Sequence, residues 1–191
     1  MEKLIERIRK EGRGLPGDIL KVDSFLNHQV DIKLAEEIGE EFYRIFKDRP
    51  VTKILTIEVS GLIFATMTAK AFGYVPVVYA KKGMPSNMDL EVYQQEVHSF
   101  THDGTYLATV AKQYLSKDDH VLIIDDFLAN GEAMAALITI CQRAGATVEG
   151  CGVVIEKSYL NGRQKVKDLG YEVYPLADIV AMENDRIEFA Q

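Results

Sequence analysis

The sequence predicts an α/β fold: a central, mainly parallel sheet flanked by helices. Three observations carry that expectation. Residues 121–124 (VLII) are continuously apolar and rich in β-branched side chains, as in a strand buried on both faces. Strand-like and helix-like segments alternate along most of the chain, which implies parallel neighbours joined by right-handed crossovers. A length of 191 residues suits one ordinary domain with a full core.

Each element has its own local reason. Residues 2–11 read as a short helix with Leu4, Ile5 and Ile8 on one face. GRGLPGD at 12–18 is a turn-rich break, since Gly and Pro supply unusual backbone angles. A second helix starts at Asp31, a good N-cap, and carries Leu34, Ile38, Phe42 and Phe46 on one stripe until Pro50 ends it. Residues 52–58 form a buried strand, Ser60 caps a helix terminated by Gly73, and 76–80 is the next strand. Residues 81–91 lack periodicity and read as a mobile loop. Segments 92–101 and 105–111 form a hairpin about a His-Asp-Gly turn. After the 121–124 strand come a helix at 132–144 stopped by Gly145, a strand at 147–157, a short helix at 162–169 and a last strand at 171–176. No repeat, low-complexity tract or linker interrupts this order, so a single domain over 1–191 is expected.

Bulk properties narrow the function. The formal net charge of −7 argues against a nucleic-acid surface. No apolar run approaches the roughly 20 residues of a membrane span, and MEKLIERIRKEG is too charged for a signal peptide. Cys141 and Cys151 lack CxxC spacing and suit a reducing compartment as small core residues, so a cytoplasmic protein acting on small molecules is expected.

The most informative stretch is HVLIIDDFLANGEA at 120–133. In open α/β sheets, ligands bind beyond the carboxyl ends of strands, and free N–H groups at a helix start attract phosphate. The small residues Ala129, Gly131 and Ala133 let backbone N–H groups approach such an anion, with Asn130 as a further donor and Glu132 expected to point away. Asp125 and Asp126 would repel the phosphate, so their targets are sugar hydroxyls or a divalent metal on the same ligand. An acidic pair also follows a strand in phosphorelay receivers, but there it sits at the first strand. Here two strand–helix units come before it. Glu58-Val59-Ser60-Gly61 repeats the strand-end geometry, so Ser60 and Gly61 either cradle a second anion or simply cap a helix. Lys81 and Lys82 end the next strand and are either counter-charges to that anion or solvated loop lysines. His98 and His102, at i, i+4 on a strand and turn, do not converge on a metal.

These residues resemble the phosphoribosyl-pyrophosphate signature of the purine phosphoribosyltransferases, a hydrophobic strand running into two acidic residues and a small-residue loop. The usual loop carries Thr-Gly and a second hydroxyl; Asn130-Gly131 and Ala133 stand here instead, and this form is similar to the xanthine-using branch. ILKVDSFLNHQ at 19–29 and VVIEKS at 153–158 extend the resemblance over essentially the whole chain. It implies the type I fold, with residues 1–30 contributing a small hood over the base. It also implies transfer of a phosphoribosyl group to an oxo-purine.

The same resemblance implies that Asp125 and Asp126 grip the ribose hydroxyls and stabilise charge at the anomeric carbon, while 129–133 hold the 5′-phosphate. Leu20 would pack on the base, Asn27 would face its 2-oxo group, and Lys157 would meet its oxo edge rather than snorkel to the surface. Magnesium would arrive on the diphosphate. The hood and the 81–91 loop would close over the reactants. A homodimer is implied too, with Phe64, Tyr74 and Tyr93 as candidate contacts. Adenine or guanine transfer on the same scaffold is an alternative. So is a sensor that binds the sugar donor without turnover, although only about twenty residues precede Leu20, too few for a DNA-binding domain.

Overall fold

A computed structural model of the chain describes residues 1–83, 91–98, 104–183 and 185–190. In chain order its elements are α1 (Glu2–Glu11), β1 (Arg13–Leu15), β2 (Ile19–Lys21), α2 (Ile32–Phe46), β3 (Lys53–Ile57), α3 (Gly61–Ala71), β4 (Val77–Lys82), β5 (Val92–His98), β6 (Thr105–Ala111), β7 (His120–Leu128), α4 (Glu132–Ala144), β8 (Thr147–Lys157), α5 (Gly162–Asp168), β9 (Val173–Glu183) and β10 (Arg186–Phe189). Eight strands form one sheet in the order β10-β9-β8-β7-β3-β4-β6-β5, parallel from β9 to β4 and antiparallel at both edges.

The apolar run of β7 is buried on both faces because both faces are covered. Side chains alternate along a strand. Leu122 and Ile124 therefore join Ile38, Phe42 and Phe64 of α2 and α3, while Val121 and Ile123 join Leu137 and Cys141 of α4. Helix α2 begins as its sequence suggests, with the Asp31 carboxylate accepting from Leu34 N–H at 3.1 Å. It lies close to β8 because Gly150 and Gly152 lack side chains. A Cβ there would stand 2.3 Å from the Phe46 ring and 2.7 Å from the Phe42 ring.

Several expectations need correcting. The break at 12–18 contains β1, which pairs with β2 from Arg13↔Lys21 to Leu15↔Ile19; its tight turn uses positive φ at Gly17 (82°) and Asp18 (58°). Helix α2 stops at Phe46, before a turn that reaches Pro50. The last strand runs on to Glu183 and pairs with β10, which the sequence reading missed because RIEF alternates over only four residues, too few to stand out. The β5–β6 hairpin is present, but its turn at 99–103 lies outside the described residues, as do 84–90 of the proposed loop. Lys81 and Lys82 belong to β4 itself. Phe64 is fully buried in the core and Tyr93 is half-buried, so of the three proposed contact residues only Tyr74, 78% exposed, stands free on the surface.

Candidate active site

The chain runs from β3 outward to β4, then returns across β3 to place β7 on its other side. Helices α3 and α4 therefore leave the carboxyl ends of adjacent strands toward opposite faces, and a crevice opens between them. A cavity of about 420 Å³ occupies that crevice. It is lined by Leu20, Asn27, Ser60, Gly61, Lys82, Asp125, Asp126, the whole 129–133 loop and Lys157, which brings together the residues singled out in sequence with one exception, Lys81. Strand alternation accounts for the exception: neighbours on β4 face opposite ways, and Lys82 is the one that meets the cavity.

The acidic pair follows the continuous buried apolar run of β7, Val121–Ile124. Asp125 is only 4% exposed, and its Oδ1 accepts from the Asp126 N–H at 3.0 Å. Burial, then the neighbouring Asp126 charge, pushes the Asp125 carboxyl well above the ordinary carboxylate range. Burial raises Asp126 as well, and in both cases the charge of Lys82 works against the rise. Helix α3 starts directly against this pair. A Cβ on Gly61 would fall 2.4 Å from Thr56 Oγ1 and 2.7 Å from Asp125 Oδ1.

Beyond the carboxylates the chain turns into α4. Gly131 has φ +77°, a left-handed conformation that disfavours any side chain, and a Cβ there would lie 2.9 Å from the backbone of Gly162. Gly162 in turn abuts the Ala129 carbonyl. The first residues of α4, Glu132 to Met134, line the cavity, and the N–H groups of a helix's first turn have no partner within the helix. The Glu132 carboxylate is taken by Lys165 of α5.

At the β3 end, Ser60 occupies the N-cap position of α3 but does not cap it. Its backbone is already helical (φ −68°, ψ −37°), and its side chain makes no capping bond. The Ser60 N-cap expected from sequence is thus replaced by a short loop, with a cis Glu58–Val59 peptide, that lines the cavity. The Lys82 N–H donates to Glu58 Oε1, and its ammonium lies 5.0 Å from the centre of the Tyr106 ring. Burial and the nearby Asp125 raise the Tyr106 phenol to about 12.

The opposite end is assembled from distant segments. Lys157 ends β8, is 5% exposed, and donates through Nζ to the Asp18 carbonyl at 2.5 Å. Its ammonium also sits 5.4 Å from the centre of the Phe127 ring, and burial lowers its pKa. The 19–29 segment follows β2 with one wide helical turn, Asp23–Asn27, that leaves Asn27 exposed at the rim. Leu20 is largely buried, whereas Ile19 beside it is 43% exposed at the cavity.

Residues 22–179 match the phosphoribosyl transferase domain. The chain belongs to the phosphoribosyl transferase family. A xanthine phosphoribosyltransferase of Clostridium novyi is 50% identical over 189 residues, 99% of each chain. One from Macrococcus caseolyticus is 49% identical over 187 residues, 98% of this chain and 96% of the relative. Among solved structures, the APRTase of Giardia lamblia complexed with 9-deazaadenine superposes with a TM-score of 0.76 at 22% identity, over 92% of this chain and 97% of that one. An adenine phosphoribosyltransferase from Rhodothermus marinus gives 0.74 at 23% identity, over 94% and 100%. These two structures speak for the fold alone.

Within this phosphoribosyl transferase site, several lining residues escaped the sequence reading. Phe127 lies two residues from Asp125 on β7, so strand alternation could have flagged it; Ile19 lies beside Leu20 on β2, and alternation alone would have turned it away. Tyr106 and His98 come from the β5–β6 hairpin, and nothing local in the sequence ties that hairpin to the cavity.

Proposed function

We propose that the chain transfers the 5-phosphoribosyl group of 5-phosphoribosyl 1-pyrophosphate to N9 of xanthine, giving xanthosine 5′-monophosphate and pyrophosphate in purine salvage. One observation carries this: a single cavity holds a carboxylate pair and an anion loop at one end and a buried lysine at the other. The full-length likeness to xanthine phosphoribosyltransferases supports the choice of base. Residues 1–191 then act as one cytoplasmic transferase domain with 1–30 as its hood. A homodimer is proposed on the family resemblance.

In this reading the backbone of 129–133 receives the 5′-phosphate. Asp125 and Asp126 accept from the ribose hydroxyls and face the positive charge that develops on the ribose as N9 approaches C1′. Lost contact with water makes both carboxylates costly in the free chain, and a ligand rich in hydroxyls and cations relieves that cost. Their hard oxygen donors would suit a magnesium ion bound with the diphosphate, which would supply counter-charge to the pyrophosphate. Ser60, Gly61 and Lys82 are proposed to hold that leaving group; Lys81 is not part of it. Lys157 favours the acceptor-rich edge of xanthine, Asn27 faces the 2-oxo group, and Ile19 with Leu20 covers the ring. The chemistry asks mainly for positioning, since pyrophosphate is already a good leaving group.

The deciding experiment supplies the sugar donor, magnesium and each of xanthine, guanine, hypoxanthine and adenine, and follows nucleotide and pyrophosphate. Xanthine should be preferred, and Lys157→Ala should lose that preference, with a fall of about 10–100-fold in kcat/KM, while still binding donor. A preference for adenine would sink the roles given to Lys157 and Asn27. Donor binding without turnover of any base would make the chain a sensor.

A further inference from the structure

We propose that the short helix α5 braces the phosphate loop, with Lys165 as a positioning residue that holds the Glu132 carboxylate away from the donor's 5′-phosphate. The inference rests on the donor reading of residues 129–133. Glu132 is the first residue of α4, directly after Gly131, and it lines the cavity. A carboxylate at that place shares the anion site with the phosphate and opposes it. Lys165 forms an ion pair with Glu132 Oε1, and both side chains are mostly covered, at 38% and 30% exposure.

Helix α5 is fixed well enough to serve this purpose. Arg163 grips Glu156 through two hydrogen bonds, from Nε at 2.9 Å and from Nη2, and the Glu156 side chain on β8 is fully buried. Arg163 Nη1 also donates to the Val173 carbonyl at 3.3 Å. On its other side, Gly162 touches the loop backbone: a Cβ there would lie 2.3 Å from the Ala129 carbonyl oxygen and 2.9 Å from Leu128 Cγ. One helix thus ties the end of β8, where Lys157 follows Glu156, to the loop that follows β7. An ion pair still about a third exposed contributes little to folding stability. The Glu132–Lys165 pair therefore has its effect on the ligand, where one uncompensated negative charge meets a phosphate dianion.

Donor binding tests this without requiring turnover. Titration calorimetry with the magnesium complex of 5-phosphoribosyl 1-pyrophosphate compares wild type, Lys165→Met, Lys165→Arg and Glu132→Gln, each at low and high salt. Lys165→Met keeps the apolar stem and should weaken donor binding about tenfold at low salt, a deficit that shrinks as salt screens the repulsion. Lys165→Arg should bind as wild type does. In a Glu132→Gln background the Lys165→Met change should have no further effect, and in turnover it should appear in the donor KM and not in kcat. Wild-type affinity in Lys165→Met overturns the proposal. So does a loss that neither salt nor Glu132→Gln relieves, since that marks a structural role. A wild-type chain that binds no donor removes the loop assignment itself and this inference with it.

Discussion

The two ends of the cavity are built in different ways. The proposed donor end is one continuous run, a buried strand followed by Asp125, Asp126 and the 129–133 loop, placed where two crossovers diverge. The base end joins the first thirty residues to the end of β8, with Lys157 reaching the Asp18 carbonyl across 139 positions of sequence. Chemistry common to any acceptor base can be encoded locally, because it needs only a strand end and a helix start. Selection among bases is a tertiary property. In the proposed reading it depends on how the first thirty residues sit over the sheet.

The largest effect should come from the shared end. Asp126→Asn removes one of two adjacent like charges and should cut kcat by about 10²–10³-fold with every base alike. The same change should stabilise the free protein. Both carboxyls are raised by burial, so the folded chain holds protons more tightly than the unfolded chain. Stability contributed by the pair is therefore present at low pH and lost as pH rises through the raised values. Calorimetric melting near neutral pH should show Asp126→Asn melting higher, by about 2–4 °C for each kcal/mol of relieved repulsion. A variant that loses activity and also melts lower would mean the pair supports the fold, contrary to its electrostatics.

A second variant separates the ends more sharply. Gly162→Ala lies outside the signature, yet its Cβ would press on the Ala129 carbonyl from 2.3 Å. The contact is with backbone, so the loop has to move. Displacement of about an ångström at a binding group can cost on the order of 10²-fold. Donor affinity should fall by about 10–100-fold, while the KM for xanthine at saturating donor changes by no more than about threefold. Equal losses in both constants would show that the ends do not act separately.

Legibility in the sequence follows the same division. Periodicity and end signals placed α4 at 132–144 and β8 at 147–157, because Gly131 and Gly145 punctuate them and their apolar patterns are long. The Asp pair and its loop were visible for the same reason. Gly162 and Lys165 were not, since neither a contact between two backbones nor an ion pair between residues 33 apart leaves a pattern in either segment. The β1–β2 hairpin was hidden too: three-residue strands carry no usable alternation, and only pairing reveals them. Ser60 looked like a cap by residue type, yet its own backbone angles exclude that role. Asn27 and Leu20 were found by resemblance alone, as nothing in 19–29 announces a binding surface.

The finest contrast concerns Lys157, which is both a fold contact and a candidate base contact. Burial lowers its pKa, so its ammonium is lost at a lower pH than that of an ordinary lysine, near 10.4. If that charge engages the oxo edge of xanthine, kcat/KM for xanthine should decline on the alkaline side before free lysine would titrate. Lys157→Arg keeps a charge that does not titrate in this range, at the expense of a bulkier head in a tight site. It should lose only about three- to tenfold near neutral pH, yet hold its activity further into the alkaline range. Titration of the base itself would bend both profiles equally, so the difference between them isolates residue 157. Superimposable alkaline limbs would show that the buried lysine serves the hood through Asp18 and not the base, and selectivity would then rest on Asn27 and the apolar cover.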